Sequence, residues 1–443
     1  MTHSLLLTVA AEPRSGTRNA VFLPESGSIE MLKNQREFDE ALNSLKSDVP
    51  DADEYASLSQ IYLSDPIIDE LNSLDPFSRS YRETAMRLYK KLRRSDTYDP
   101  RRDELSQMAG IPGDLWKGVV PWSFRSPKMI GEFLMSWGHI MMLIDLSSGT
   151  VLEYGSGSGQ LALMLARCGL DVHCVDVDQP SLDLIKAQAD QMELPIKCES
   201  ALFGEGFDGK RFDRIIFFEA FHHAWAFEAL LDRLSERLAL DGRLILCGEP
   251  VVSSRTPSVP FPWGPRLDGL SIFCMRKYGW MELGFSEEFL SETFLRHGWL
   301  LMDHPFPNLG RASAYVARKG SGTTINIGEP NSIPSRFIAG WSDGEGLHRW
   351  TASEVAKFPF PSGTIATVCM NNMLNVAKPV TIRSGDAVEK LTITPGQERT
   401  VTLAGPVGST IEIHTNVDRP SDIVPGSSDN RALGIAVKTI MFR

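Results

Sequence analysis

The sequence is most informative first in what it lacks. Its 443 residues include six cysteines, Cys168, Cys174, Cys198, Cys247, Cys274 and Cys369, and no two form a C-x-x-C pair. Neither a disulfide framework nor a cysteine zinc site is expected, so the thiols read as small buried hydrophobes in a reducing compartment. Long apolar runs are also missing. The best uncharged one, residues 133–144, falls far short of the roughly 20 residues a membrane helix needs. The short apolar run at residues 5–11 has no Lys or Arg before it, so no signal peptide is expected and a soluble cytoplasmic protein is. Positive charge is scarce, with 45 Lys plus Arg against 56 Asp plus Glu, a formal charge of −11. That balance argues against a general binder of nucleic acid or anionic membrane, both of which need a basic footprint. Long-period repeats are absent too, and 42% hydrophobic with 23% charged residues excludes disorder as the main state.

What is present falls into three regions. Residues 1–120 read as mainly helical, with amphipathic helices over 29–46 and 77–94 and a hairpin over 4–24. In the second helix Tyr81, Met86, Leu88 and Leu92 form the buried stripe, and Arg82, Arg87, Lys90, Lys91 and Arg93 face water. Residues 121–319 alternate strands (150–154, 171–176, 195–199, 212–218, 243–247) with helices (161–168, 180–192, 227–238). That alternation is the pattern of an α/β, doubly wound parallel sheet. A helix over 287–297 precedes strands over 299–303 and 312–318. Only a short Pro/Gly loop joins those two, so the last strand is expected to be antiparallel. After a Gly/Ser/Thr linker, residues 325–443 alternate apolar and polar in short runs (380–383, 390–394, 399–403, 410–414, 433–442), which predicts a β-sandwich.

The chemistry gathers in the middle region. The strand at 150–154 runs into Glu153-Tyr154-Gly155-Ser156-Gly157-Ser158-Gly159. A glycine-rich turn between strand and helix lets a ligand approach the backbone closely. The next strand ends at Asp176, where a carboxylate can accept both hydroxyls of a ribose, with Val177 beside it. The dinucleotide fingerprint needs a third glycine inside the helix, and Gln160 stands there instead. Glu153 suits an amino-acid ammonium better than a pyrophosphate.

These residues, with Asp213 to His223 as a fourth-strand motif and Leu240 to Leu246 as a fifth-strand motif, resemble the class I S-adenosylmethionine-dependent methyltransferases. The resemblance spans residues 121–319 and implies S-adenosylmethionine as cofactor and a Rossmann-like sheet. Carried over onto matching positions, it makes Glu153, Gly155, Ser156, Gly157, Gly159, Asp176, Val177, Ser200 and Glu219 cofactor-binding. Many members carry Asp after the third strand for the adenine amino group, whereas this chain has Ser200-Ala201. The segments Pro121-Trp122-Ser123, Gly131 to Gly138, Pro262 to Gly269 and Tyr278 to Phe285 are similar to a bacterial group associated with surface-glycan biosynthesis. Gly340-Trp341, Gly346 to Trp350 and Ser428 to Gly434 resemble a β-sandwich found with glycan-modifying enzymes. Together they imply O-methylation of a sugar, glycan or glycolipid intermediate, with a tail that binds the glycan or docks a glycosyltransferase. The alternatives are a small-molecule secondary metabolite as acceptor, or an inactive scaffold of the same fold.

A sugar hydroxyl is a weak nucleophile and needs a base as its proton leaves. His222 and His223 follow the fourth strand at the sheet's carboxyl edge, and an imidazole titrates near neutrality. Either is a candidate base, His222 ahead. Glu249, after the fifth strand, is the candidate to orient a histidine, accept substrate hydroxyls or cap a helix. Trp263, Arg266, Asp268, Trp280 and Glu282 lie in the following insertion, where aromatic faces, carboxylates and a guanidinium suit a sugar ring, although any single tryptophan can instead pack the core. No Asp/His cluster shows metal-ligand spacing, so no metal is expected.

Overall fold

The computed structural model describes residues 32–43, 52–106, 126–406 and 409–443. The hairpin expected at 4–24 and the motif at 121–123 lie outside them.

The centre is a seven-stranded sheet: β1 (Thr150–Tyr154), β2 (Asp171–Asp176), β3 (Lys197–Ser200), β4 (Phe212–Phe218), β5 (Leu238–Cys247), β6 (Trp299–His304) and β7 (Ala314–Lys319). Their spatial order is β6-β7-β5-β4-β1-β2-β3. β1 to β5 are parallel, and β7 enters antiparallel between β5 and β6, pairing Ala314 with Cys247 and with His304. Strand order reverses between β1 and β4, which opens a crevice at their carboxyl ends. Both faces are covered, and the middle positions of β1, β2, β4 and β5 are accordingly mostly apolar and buried. Leu152, Tyr154, Ile215, Phe217 and Leu246 pack toward the amino-terminal helices and the insertion. Val151, Val172, Ile216, Ile245 and Val316 pack on the other face, under the helices Pro127–Ile144, Gln160–Arg167 and Gln179–Gln191.

β5 starts at Leu238, five residues before the predicted 243. Its Leu240-Asp241-Gly242 segment has the composition of a turn, and Asp241 takes φ 61° within the strand. Val251–Val252, Trp263–Pro265 and Leu283–Ser286 form a small second sheet that the sequence did not announce. These strands are only two to four residues long and carry Gly and Pro, so no alternation can develop.

The amino-terminal region is mainly helical among the described residues. A helix, Gln35–Asn43, lies within the predicted 29–46. The helix Arg79–Arg93 begins at Ser78, whose hydroxyl accepts the Tyr81 N–H at 3.1 Å, and stops at Arg94 in the left-handed region. Tyr81, Leu88 and Leu92 are buried as expected, with Ala85 and Tyr89 added, while Met86 is only partly buried. Two of the arginines expected in water are not there. Arg82 lies over the rings of Phe227 (4.9 Å) and Trp263 (5.2 Å) and pairs with Glu228 at 2.6 Å. Arg93 makes a two-point ion pair with buried Asp103, at 2.9 and 2.7 Å. A guanidinium can be buried this way because its planar fork satisfies a carboxylate at two points. Among the cysteines, Cys174, Cys247 and Cys274 are buried, but Cys168 is exposed.

Beyond β7 the chain is β-rich. A six-stranded and a four-stranded antiparallel sheet share one core, to which Val368, Met370 and Ile440 of the first contribute with Phe358, Ile382 and Ile413 of the second. Leu295, Leu300 and Met302, from the helix Glu287–Arg296 and from β6, belong to that same core. Among the described residues no helix is long and apolar enough to cross a membrane.

Candidate active site

The glycine turn closes β1 onto the helix Gln160–Arg167. Gly159 has φ 71°, and a Cβ there would stand 2.4 Å from Ile185, so the turn packs against the next helix only if this residue lacks a side chain. Gly157 has φ 49° and faces open space, with nothing within 4 Å of a built Cβ. Its N–H donates to the Asp176 carboxylate at 3.1 Å, and the Asp178 N–H donates to the other oxygen at 2.9 Å. Burial pushes the Asp176 pKa up to about 6, against those two N–H donors. Val177 follows, half-buried, on the way to the helix Gln179–Gln191. Ser200 ends β3 in register with Asp176 and is exposed.

Gly155 packs beneath Ala220 of the loop after β4. Glu153 is 3% exposed, beneath the turn. Its carboxylate accepts from the Ala162 backbone in the first turn of the helix. Burial and the Asp176 charge push its pKa to about 8. One Glu153 carboxylate oxygen and the Ser156 hydroxyl are buried without a hydrogen-bond partner. Orphaned polar atoms beside an open glycine and a hydroxyl-accepting aspartate fit a nucleoside with a charged amino-acid tail. Glu219 is engaged elsewhere. Both of its oxygens accept from Arg311, at 2.6 and 2.7 Å, and Arg311 is itself buried over the Phe133 ring. Burial still raises the Glu219 pKa, opposed by that guanidinium.

The short turn Phe221–His223 follows β4. Glu249, at the end of β5, ties it down by accepting the N–H groups of Ala220 (3.1 Å), Phe221 (2.9 Å) and His222 (3.0 Å). It also meets His222 Nδ1 at 2.8 Å, which leaves Nε2 as the ring nitrogen with a lone pair. Glu249 thus both caps and orients. His222 Nε2 lies 3.6 Å from Glu282. The His223 ring sits 4.3 Å from that of His222, with its Nδ1 3.1 Å from Glu104. Burial lowers the His223 pKa, but Glu104, Glu282 and Glu249 outweigh it and push it up to about 9.

The insertion divides. Arg266 comes 3.6 Å from Glu282 and 2.9 Å from Asp268. Trp280 stacks on Tyr278 at 4.7 Å, stands edge-on to His223 at 5.8 Å, and donates its indole N–H to the Leu105 carbonyl at 2.9 Å. Trp263 and Asp268 are corrections. Trp263 is fully buried between Tyr81, Phe227 and Phe289, with its N–H on the Pro76 carbonyl, so it is core. Asp268 is 2% exposed and caps the helix Gly269–Lys277 through Ser271, so it is structural. Glu104, which also accepts from Tyr98 (2.8 Å) and the Met281 N–H (2.8 Å), and Arg311 escaped the sequence reading. Little local marks either one, because their partners at the site, His223 and Met281 for Glu104 and Glu219 for Arg311, lie far along the chain.

Residues 151–242 match the methyltransferase domain family, a stretch running from β1 into β5. The crevice lies within that segment, so this part of the chain is a methyltransferase domain. No curated protein matches the chain in sequence. Solved structures similar to it include the CcbJ methyltransferase from Streptomyces caelestis, at 17% identity, 50% of this chain, 99% of that one and a TM-score of 0.37. Another is the 1,6-didemethyltoxoflavin-N1-methyltransferase of Burkholderia thailandensis, at 18% identity, 51% and 92% coverage and a TM-score of 0.35.

Proposed function

We propose that this enzyme methylates a hydroxyl group of a sugar, glycan or glycolipid intermediate. The observation that carries the reading is the His222–Glu249 pair beside Trp280, Arg266 and Glu282, at the same sheet edge as the glycine turn. S-adenosylmethionine, when bound, would supply a methyl group already activated on a sulfonium, so the protein's task is to hold and orient the acceptor. Asp176 and the Gly157 backbone hold the nucleoside. His222 Nε2 is the atom placed to handle the proton of the acceptor hydroxyl. Glu249 holds the proton on Nδ1 and stabilises the charge that forms on the ring. Trp280 offers a flat face for a sugar ring, and the Arg266–Glu282 pair can bond neighbouring hydroxyls. In this reading residues 325–443 hold the glycan or dock a glycosyltransferase.

The test is to incubate the full chain and S-adenosylmethionine with nucleotide sugars, oligosaccharides and a matched set of small phenols, following S-adenosylhomocysteine release. Turnover of the carbohydrates is expected, and His222→Ala should lower kcat by roughly a hundredfold or more with cofactor affinity unchanged. Turnover of the phenols alone would replace the carbohydrate reading with a small-molecule one.

A further inference from the structure

His222, His223 and Glu282 each present a ligand atom, and the three atoms all lie within 4.8 Å of one another. The linear spacing hides this group, because two members sit on the turn after β4 and the third lies just before the strand Leu283–Ser286. The distances have the scale of a metal site. Atoms bound about 2.1 Å from one ion stand roughly 3.0–3.4 Å apart, and His222 Nε2 is 3.6 Å from the Glu282 oxygen.

The surroundings point the same way. Each imidazole turns its Nδ1 to a carboxylate, His222 to Glu249 at 2.8 Å and His223 to Glu104 at 3.1 Å. A metal-binding histidine commonly donates its second N–H to a carboxylate, as His222 is placed to do toward Glu249, which leaves its Nε2 for the ion. Glu104 and Glu249 are themselves held, by Tyr98 and Met281 and by three backbone N–H groups. Three carboxylates thus surround the imidazoles, with the Arg266 guanidinium, 3.6 Å from Glu282, as the opposing charge.

We propose that His222, His223 and Glu282 bind one divalent transition-metal ion, of the manganese, iron or zinc class, and that its open position receives the acceptor hydroxyl. Two imidazoles and one carboxylate suit these ions better than magnesium or calcium, which prefer all-oxygen shells. Three protein ligands leave room for a substrate atom, as in catalytic sites rather than structural ones.

The site stands on geometry alone, while its chemistry rests on the acceptor position proposed above. Coordination lowers the pKa of the hydroxyl, and its proton leaves to solvent. The oxygen then forms a bond to the methyl carbon as the carbon–sulfur bond breaks and its electron pair goes to sulfur. The products are the methyl ether, S-adenosylhomocysteine and a proton. With the ion present His222 acts as ligand, so the ion replaces the imidazole as the means of deprotonation.

Metal analysis of the full chain, followed by calorimetric titration of the chelator-treated protein with Mn²⁺ and Zn²⁺, tests the proposal. One ion per chain is expected. Glu282→Gln and His223→Ala should each weaken ion binding at least tenfold while S-adenosylmethionine affinity stays within about twofold, which shows that the variants are folded. Glu249→Gln should weaken the ion by roughly 10–100-fold, as loss of a supporting carboxylate does. Protein that binds S-adenosylmethionine but takes up neither ion would overturn the proposal, and so would variants that bind the ion as well as the parent. Stoichiometric ion binding without carbohydrate turnover would leave the site standing and fail the acceptor reading instead.

Discussion

Two carboxylates at the glycine turn respond to burial, with different consequences. Asp176 has its pKa raised to about 6, and it must be ionised to accept ribose hydroxyls. Affinity for S-adenosylmethionine should fall as pH drops through about 6, a loss visible by calorimetry between pH 7.5 and 5. Asp176→Ala should cost roughly a hundredfold in affinity at neutral pH, since hydrogen bonds to a charged group contribute about 1.5–3 kcal/mol each. Glu153 is raised further, to about 8. The unfolded chain releases that proton near pH 4.5 while the folded one keeps it, so stability falls as pH rises from about 4.5 to 8. Glu153→Gln should flatten that slope, as read from melting temperatures across the range without cofactor. The turn, Asp176 and the paired histidines were legible because each follows a strand end in the β–turn–α order, although the bonds that hold them span 19 and 27 residues. Glu104 and Arg311 were not, since a buried carboxylate or guanidinium looks in sequence like any surface charge.

Strands and helices were read from their periodicity wherever an element was long enough to have one. β1, β2 and β4 agree with the sequence at both ends, because the apolar centres of buried parallel strands stand out between polar turns. The small sheet around Trp263 left no such trace, and for Trp263 the structure shows the core-packing alternative. An indole among arginines and aspartates suits a sugar pocket, but here it fills the joint between the helix Arg79–Arg93 and the helix Glu287–Arg296. The two tryptophans of the insertion should therefore separate in experiment. Trp263→Ala should lose about 3–5 kcal/mol in denaturant unfolding, the usual cost of emptying an aromatic core position. Trp280→Ala should mainly raise the KM for the acceptor, because its ring faces His223 at the site.

For the molecule as a whole, the β-rich region is not a tethered accessory. Leu295, Leu300 and Met302 contribute to its core, and the Ser362 N–H donates to the Leu295 carbonyl at 2.9 Å. Ending the chain at residue 320 should uncover that apolar face. The truncated protein should melt well below the full chain or aggregate, as light scattering during a thermal ramp would show. The alternating pattern of residues 325–443 foretold strands but not this shared core, because alternation shows that one face is buried and not what buries it.

The placement of β7 also bears on how the protein is made. β5 has β4 on one side and β7 on the other, and β7 is the last strand of this sheet in chain order. On the ribosome, β1 to β5 emerge first, with the outer edge of β5 bare until residues 314–317 arrive. Through that interval the nascent chain carries a long apolar strand edge open to any passing partner, the kind of edge that chaperones cover and that aggregates when they do not.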